Sequence, residues 1–375
     1  MAIGAEVATR ATSATRLVSL DVFRGATMAS MVIVNNPGDW GAVYAPLLHA
    51  EWHGWTPTDL IFPFFLFIVG VSITLSSRSA TWGSILRRSA LILALGLFLS
   101  GYPRFDVSRW RIPGVLARIA VCYLFAASAY RLTAGDRKRQ GRSLFFIAMA
   151  LAVGYWLVMT LVPPPGGTAG DLSPEGNLGA WIDRAVMEGH LYKPRWDPEG
   201  ILSTVPAIST TLLGIIAGLW LGSDETPSRK ASLLAIAGVA GIAVGYLWSA
   251  VFPINKNLWT SSYVMFTAGG ASLLLAACYW IIDVRGWRGW TKPFVVLGSN
   301  AITLFVVAAL LARTLGFIKV PSAGGEVSLN RFIYVTFFAP SAAPKNASLM
   351  YALANLVVLF ALLAWMYRRR IFVRV

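Results

Sequence analysis

Residues 57–77 read Pro57-Thr58-Asp59-Leu60-Ile61-Phe62-Pro63-Phe64-Phe65-Leu66-Phe67-Ile68-Val69-Gly70-Val71-Ser72-Ile73-Thr74-Leu75-Ser76-Ser77. A proline-led acidic turn runs straight into an apolar stretch about as long as the roughly 20 helical residues that cross a hydrocarbon core of about 30 Å. Nine further stretches have the same character: 18–36, 84–102, 113–131, 144–162, 201–221, 231–252, 258–282, 294–312 and 349–367. Stretch 84–102 is the weakest, because Arg87 and Arg88 stand one turn inside its start. The pattern predicts an all-α, polytopic bundle of about ten transmembrane helices.

Composition agrees. Of 375 residues, 56% are hydrophobic and 13% are charged, against roughly 25% charged in a soluble domain, and mean hydropathy is +0.63. Those values exclude disorder, a collagenous or coiled-coil chain, and a soluble enzyme. A net charge of +15 also raises nucleic acid as a partner, so the position of the charges matters. One set of alternate connections, that of the N-terminus, holds 19 Lys and Arg against 5 Asp and Glu. The other holds 11 of each, while Asp21, Arg24 and Arg118 lie inside spans. This is the positive-inside pattern with both termini cytoplasmic, and it accounts for the basic excess without nucleic acid.

Residues 1–17 read as a short cytoplasmic tail without the apolar core of a signal peptide, and 18–375 as one transmembrane domain. Cys122 and Cys278 fall in separate spans, so no disulfide framework or metal cluster is implied. The pairs Gly214/Gly218 and Gly241/Gly245 read first as internal helix packing and second as a homodimer interface. Pro206 should kink its helix. Residues 163–200 and 313–348 are the longer outside connections, the second with an apolar stretch, 327–339, suited to a re-entrant or interfacial segment.

Polar residues inside spans identify the bundle interior, because charge there is costly. Asp21 and Arg24, three apart, share a helix face and can pair, either to fix helix rotation or to hold a ligand. Arg118 needs a carboxylate, phosphate or carbonyl partner, and Asn300 in the ninth span suits interhelical glue. The densest polar set is the first outside loop, Asn35 to Trp40 and then Leu48-His49-Ala50-Glu51-Trp52-His53-Gly54-Trp55-Thr56-Pro57-Thr58-Asp59. A neutral histidine is the usual general base, and two interfacial histidines can equally be belt residues. A zinc site lacks a third ligand at sensible spacing. The runs Pro253 to Tyr263 and Arg195 to Gly200 belong to the same outside set, compatible with one polar pocket.

Several motifs carry a resemblance. They are Leu20-Asp21-Val22-Phe23-Arg24-Gly25, His49 to Thr56, Asp59 to Pro63, Arg111 to Ala120, Asp197 to Thr204, Pro253 to Ser262, Leu297 to Ala301, and Asn346 to Leu353. In this order they resemble the heparan-α-glucosaminide N-acetyltransferase family, the lysosomal transmembrane acetyltransferase and its bacterial relatives. The resemblance implies acetyl transfer from acetyl-coenzyme A, supplied on the cytoplasmic side, to an amino sugar on the other face. It places the catalytic histidine at His49 and the asparagine that positions the acetyl group at Asn35. Where relatives commonly carry Asn in a Trp-Asn-Gly-Thr motif, this chain has His53. Asp21, Arg24, Arg118, Asn300, Ser261 and Ser262 are then expected to line the coenzyme passage. Glu51, Trp52, His53, Asp59, Asn255, Lys256 and Trp259 would face the acceptor.

The chemistry suits these types. An amine losing a proton as it attacks a thioester needs a base, and the oxyanion needs an amide or hydroxyl donor such as Asn35, Asn255 or Ser261. His49 could serve as that base or carry the acetyl group covalently. No metal is expected. The large lumenal domain of the lysosomal enzyme has no counterpart in the sequence, so a bacterial inner membrane with His49 facing outward is the expected setting. Two other readings stand beside this one: an O-acyltransferase of an envelope glycan, and a secondary transporter with kinked helices and intramembrane charge.

Overall fold

Backbone donors and acceptors in hydrocarbon have no water to bond, so each apolar stretch must satisfy them within itself as helix. The computed structural model describes residues 17–76, 81–322 and 325–373, and the tail 1–16 lies outside them. In chain order the helices are α1 (Val18–Asn35), α2 (Ile61–Thr74), α3 (Trp82–Gly101), α4 (Val115–Leu132), α5 (Arg137–Leu161) and α6 (Leu178–Met187). There follow α7 (Ile201–Leu221), α8 (Pro227–Trp248), α9 (Ser261–Cys278), α10 (Lys292–Ser299), α11 (Ala301–Phe317), α12 (Leu329–Ile333) and α13 (Pro344–Arg368). A short antiparallel hairpin, β1 (Lys319–Ser322) with β2 (Gly325–Ser328), is the one sheet among the described residues.

Eight of these helices are long and apolar enough to cross a membrane: α2 with its leading turn from Pro57, α3, α4, α5, α7, α8, α9 with a π-helical extension to Val284, and α13. The pair α10 and α11 makes a ninth, and α1, of 18 residues, corresponds to the first apolar stretch. The chain is therefore a helical polytopic membrane protein.

The ninth span is not the straight helix its hydropathy suggests, because it bends by 78° at Asn300. Asn300 leaves helical geometry (φ −126°, ψ 44°) and its amide is taken by the C-terminal tail. Its Nδ2 donates to the Ile371 carbonyl at 3.0 Å and its Oδ1 accepts from the Val373 amide at 3.0 Å. Stretch 327–339 breaks into the end of β2, α12 and a π-helical turn, Tyr334–Phe338. The loop 163–200 contains α6, started by Asn177, whose Oδ1 accepts from the Ala180 amide at 2.8 Å.

Helix α7 is the hub, with 67% of its most apolar window buried against 22% for the peripheral α3. Close approach needs residues without side chains. A Cβ on Gly70 would come within 2.0 Å of the Thr211 carbonyl oxygen, and one on Gly214 within 2.1 Å of that of Phe67. Gly241 and Gly245 press against α9 in the same way, so both small-residue pairs lie in contacts within this chain.

The connections sort to two ends. At one, Gly38 N donates to Ser348 O, Gly54 N to Ile254 O, and Arg111 pairs with Asp197, which gathers the loops after α1, α3, α6 and α8 with the start of α13. At the other, Ser19 N donates to Asp283, Arg24 reaches the Gly298 carbonyl, and the tail docks on Asn300. The beginning of α1 and the end of α13 thus share an end. The backbone contact between α2 and α7 makes Gly70→Leu an overpacking change costing about 1–3 kcal/mol or more. It should lower the thermal midpoint in detergent, whereas Gly83→Ala, with nothing within 4 Å of the new Cβ, should leave it unchanged.

Candidate active site

The loop end is organised by one turn. Thr56 caps the 3₁₀ turn Pro57–Leu60, and Asp59 at its third position reaches back in a capping box. The Asp59 side chain is 1% exposed. Its Oδ2 accepts from the amides of Ala50 and Thr56, both at 3.0 Å, and its Oδ1 lies 2.6 Å from His49 Nδ1. Its carbonyl accepts from the Tyr263 hydroxyl of α9. Thr56 Oγ1 donates to the Leu48 carbonyl at 2.6 Å, so the loop folds back over the start of α2. A carboxylate accepting at Oδ1 requires the proton on His49 Nδ1, and in the neutral ring the lone pair is then on Nε2. The His49 side chain is 49% exposed.

The second loop meets this one. Asn255 is fully buried and closes its own turn: Oδ1 accepts from Leu258 N at 2.9 Å, and its amide donates to Thr260 Oγ1 at 3.0 Å. Trp259 takes a left-handed backbone (φ 51°) with its ring buried and Nε1 donating to Thr210 at 3.2 Å. Between them, Lys256 places Nζ 3.0 Å from His49 Nδ1, 3.1 Å from Nε2 and 3.7 Å from Asp59 Oδ1. Equal distances to both ring nitrogens put the amine beside the ring and not in line with either lone pair alone. Burial pulls the Lys256 pKa down, with Asp59 and Glu199 opposing and Arg118 adding to the fall.

His53 is differently placed. Asn255 Nδ2 lies 3.3 Å from its Nδ1, which makes Nδ1 the acceptor and leaves hydrogen on Nε2 of the neutral ring. Desolvation lowers its pKa. The two histidines thus carry opposite tautomers, and His49 is the one with a free basic Nε2.

A third layer lies beside and beneath. Arg111 forks onto Asp197, Nε to Oδ2 at 2.9 Å and Nη2 to Oδ1 at 2.6 Å, and also meets Glu199. Asp197 further accepts from the amides of Tyr192 and Glu199. Arg118 is 2% exposed; Nη2 donates to Ser203 and, at 3.4 Å, to the Gly200 carbonyl, and the guanidinium sits 5.0 Å from the Trp259 ring centroid. Its Nε and Nη1 have no hydrogen-bond partner among the described residues. Trp52 donates to Leu172 O at 2.8 Å and packs edge-on to Trp196.

The sequence-nominated residues therefore separate into groups. His49, Asp59, Lys256, Asn255 and His53 come together, with Trp259 linking them to Arg118. Asn35 is exposed at the end of α1, with no hydrogen bond to His49, and Glu51 is exposed on the loop. Ser261 and Ser262 are fully buried and spend their hydroxyls on the Ala152 and Phe252 carbonyls, each at 2.6 Å. Asp21 and Arg24 pair at 3.1 Å at the far end, where Arg24 also donates to Ser72 at 2.8 Å, and Asn300 pins the tail there. Arg111, Asp197, Glu199 and Tyr263 were given no individual role, although the last three lie in the outside runs Arg195 to Gly200 and Pro253 to Tyr263. An arginine and an Asp-x-Glu pair on two outside loops are the signal that could have found the first three.

Two consequences are measurable. Arg111→Ala strands the fully buried Asp197 carboxylate, so it should cost about 3–5 kcal/mol and lower the thermal midpoint sharply. Burial raises the Asp183 pKa to about 6, although it accepts from Ile201 N. An acid whose folded pKa is raised takes up a proton on folding, so its stabilising share is complete below about pH 4 and is lost as pH rises through 6. Asp183→Asn should remove that dependence, flattening the midpoint between pH 4 and 7 relative to the parent.

A family model described as heparan-alpha-glucosaminide N-acetyltransferase, catalytic, matches residues 16–250. The human protein named heparan-alpha-glucosaminide N-acetyltransferase is 32% identical over 352 residues, 78% of this chain and 52% of that protein. The mouse protein of the same name is 32% identical over 359 residues, covering 80% and 54%. The chain thus spans about half the length of these curated relatives. It is a member of the heparan-α-glucosaminide N-acetyltransferase family, matched across the catalytic region.

Proposed function

We propose that the chain transfers an acetyl group from acetyl-coenzyme A to the amine of a glucosamine-type sugar at the loop end of the bundle. One observation carries this reading: Asp59, buried and fully hydrogen-bonded, takes His49 Nδ1 at 2.6 Å, so the neutral ring presents its lone pair at Nε2, on a side chain half open to solvent. The family membership supplies the reaction class, as the relatives' name states an N-acetyltransferase acting on a glucosaminide.

In this reading the coenzyme supplies an activated acetyl thioester. His49 Nε2 removes the proton from the attacking amine, and Asp59 stabilises the imidazolium through Nδ1. Lys256 Nζ offers an N–H donor where an oxyanion develops. Arg118 fits an oxygen-rich group, because two of its buried donors are unsatisfied and such donors are expensive to leave unmade. Arg24, Asp21 and Asn300 would line the coenzyme's approach from the opposite end, where the sequence concentrates Lys and Arg. That end is assigned to the cytoplasm by the charge bias, with the loop end facing outward from a bacterial inner membrane. Acetyl loading of His49 itself is the competing chemistry at the same atom.

The test is transfer of radiolabelled acetyl from acetyl-coenzyme A to glucosamine by the purified protein in detergent. His49→Ala should lower kcat by about 10²–10⁴-fold, the usual worth of a positioned base. Asp59→Asn should also cost orders of magnitude in kcat, because an amide can donate to Nδ1 and fix the wrong tautomer. His53→Ala should act mainly on KM. Transfer that survives in His49→Ala and vanishes in His53→Ala would move the base. Transfer to a glycan hydroxyl but not to an amine would make the chain an O-acyltransferase.

A further inference from the structure

The Lys256 amine stands beside the ring of the base that an acceptor amine would have to reach. General-base catalysis needs the attacking nitrogen within hydrogen-bond reach, about 2.6–3.2 Å, of the base. Lys256 Nζ is 3.1 Å from Nε2 of His49 and 3.0 Å from Nδ1, so it lies beside the ring, and turning the lysine side chain brings it in line with the Nε2 lone pair. It is a primary amine, the same functional class as the acceptor assumed above. The backbone on either side of Lys256 is fixed by the Asn255 turn, the left-handed Trp259 and the bond from Thr260 N to Asn255 O at 3.1 Å. The other lysines at this end, Lys193, Lys319 and Lys345, are exposed and have no histidine partner among the described residues.

The charged groups around the Lys256 amine are Asp59, His49, Glu199 and Arg118. Burial and Arg118 favour its uncharged form, and the two carboxylates oppose them. The Lys256 side chain as a whole is 17% exposed, beside a His49 that is half open to solvent.

We infer that Lys256 is itself an acetyl acceptor: when an acyl-coenzyme A is bound and no sugar amine is present, the protein acetylates its own Lys256 Nζ. This rests on the acetyl-transfer reading above. The step balances without an oxidant or reductant. The uncharged Nζ attacks the thioester carbonyl carbon, a C–N bond forms and the C–S bond breaks. His49 Nε2 takes the amine proton and returns it to the departing thiolate, leaving an amide on Lys256 and free coenzyme A thiol. The amide nitrogen is neither basic nor nucleophilic, so modification at this place is self-limiting. A sugar amine competes by displacing Lys256 from His49.

The experiment uses the full chain purified in detergent and incubated with radiolabelled acetyl-coenzyme A alone, followed by peptide mass spectrometry. The expected result is close to one acetyl group per chain, located on Lys256 and stable to hydroxylamine, which would strip an acetyl-imidazole. Activity toward glucosamine added afterwards should fall in proportion to the labelled fraction. Glucosamine present from the start should suppress the label, and Lys256→Arg should show none at that position. His49→Ala should slow labelling at least tenfold. Protection by glucosamine in the unmodified chain tests the same geometry if that variant does not fold.

Label confined to Lys193, Lys319 or Lys345, or on Lys256 at an undiminished rate in folded His49→Ala, overturns the inference. A chain that acetylates glucosamine yet leaves Lys256 unmodified overturns this inference alone. A folded chain that does neither removes the acetyl-transfer reading as well.

Discussion

A carboxylate buried at the end of a membrane bundle must find its hydrogen bonds inside the protein, and the way Asp59 does so governs the whole loop end. Two backbone amides from opposite sides of the loop converge on one oxygen, and the other oxygen takes the imidazole. The backbone of the same residue is fixed from α9 by Tyr263. Desolvating an ion costs several kcal/mol unless such bonds are made, so the loop from Leu48 to Leu60 can adopt few other arrangements once Asp59 is dry. The position and tautomer of His49 follow from that single burial. The second loop is then docked against a surface already rigid, by Gly54 N to Ile254 O at 2.8 Å.

Charge elsewhere in the bundle obeys the same economy. Asp21 and Arg24 neutralise each other one turn apart, and Arg111 answers Asp197 and Glu199 together. Arg118 is the exception that needs the rest. It sits between the acidic pair and the Trp259 face, drawing on both without a formal partner, and keeps two donors unspent. A cation so placed is tolerated because the ring quadrupole and the nearby carboxylates supply partial compensation.

The sequence carried the helical membrane class because its apolar stretches of spanning length must close their backbone bonds as helix, and its polar density marked the loop in which the structure brings His49 and Asp59 together. Other features were not legible for identifiable reasons. Asn300 looks like an intrahelical amide, and only the returning tail, some 70 residues later, shows why the span breaks there. Ser261 and Ser262 look like site hydroxyls in a polar run, but their partners are carbonyls of α5 and of their own loop. Asp59 reads as one more acidic group facing the acceptor, and its role as the anchor of His49 depends on a capping turn that folds ten residues of loop onto one oxygen pair. Spacing along a chain says little about which loops of a bundle meet.

Exposure along the triplet at the loop end is graded: Asp59 1%, Lys256 17%, His49 49%. A proton-transfer site needs this order. The anion that orients the base gains from being dry, since its hydrogen bonds strengthen in a low dielectric. The base must exchange its proton with solvent or leaving group on every cycle, so burying it as deeply would trap the proton. A transport site near the bilayer midplane would invert the order, with the binding groups deepest and no half-open base at the rim. The gradient therefore fits the proposed proton transfer at the loop end better than passage through the bundle.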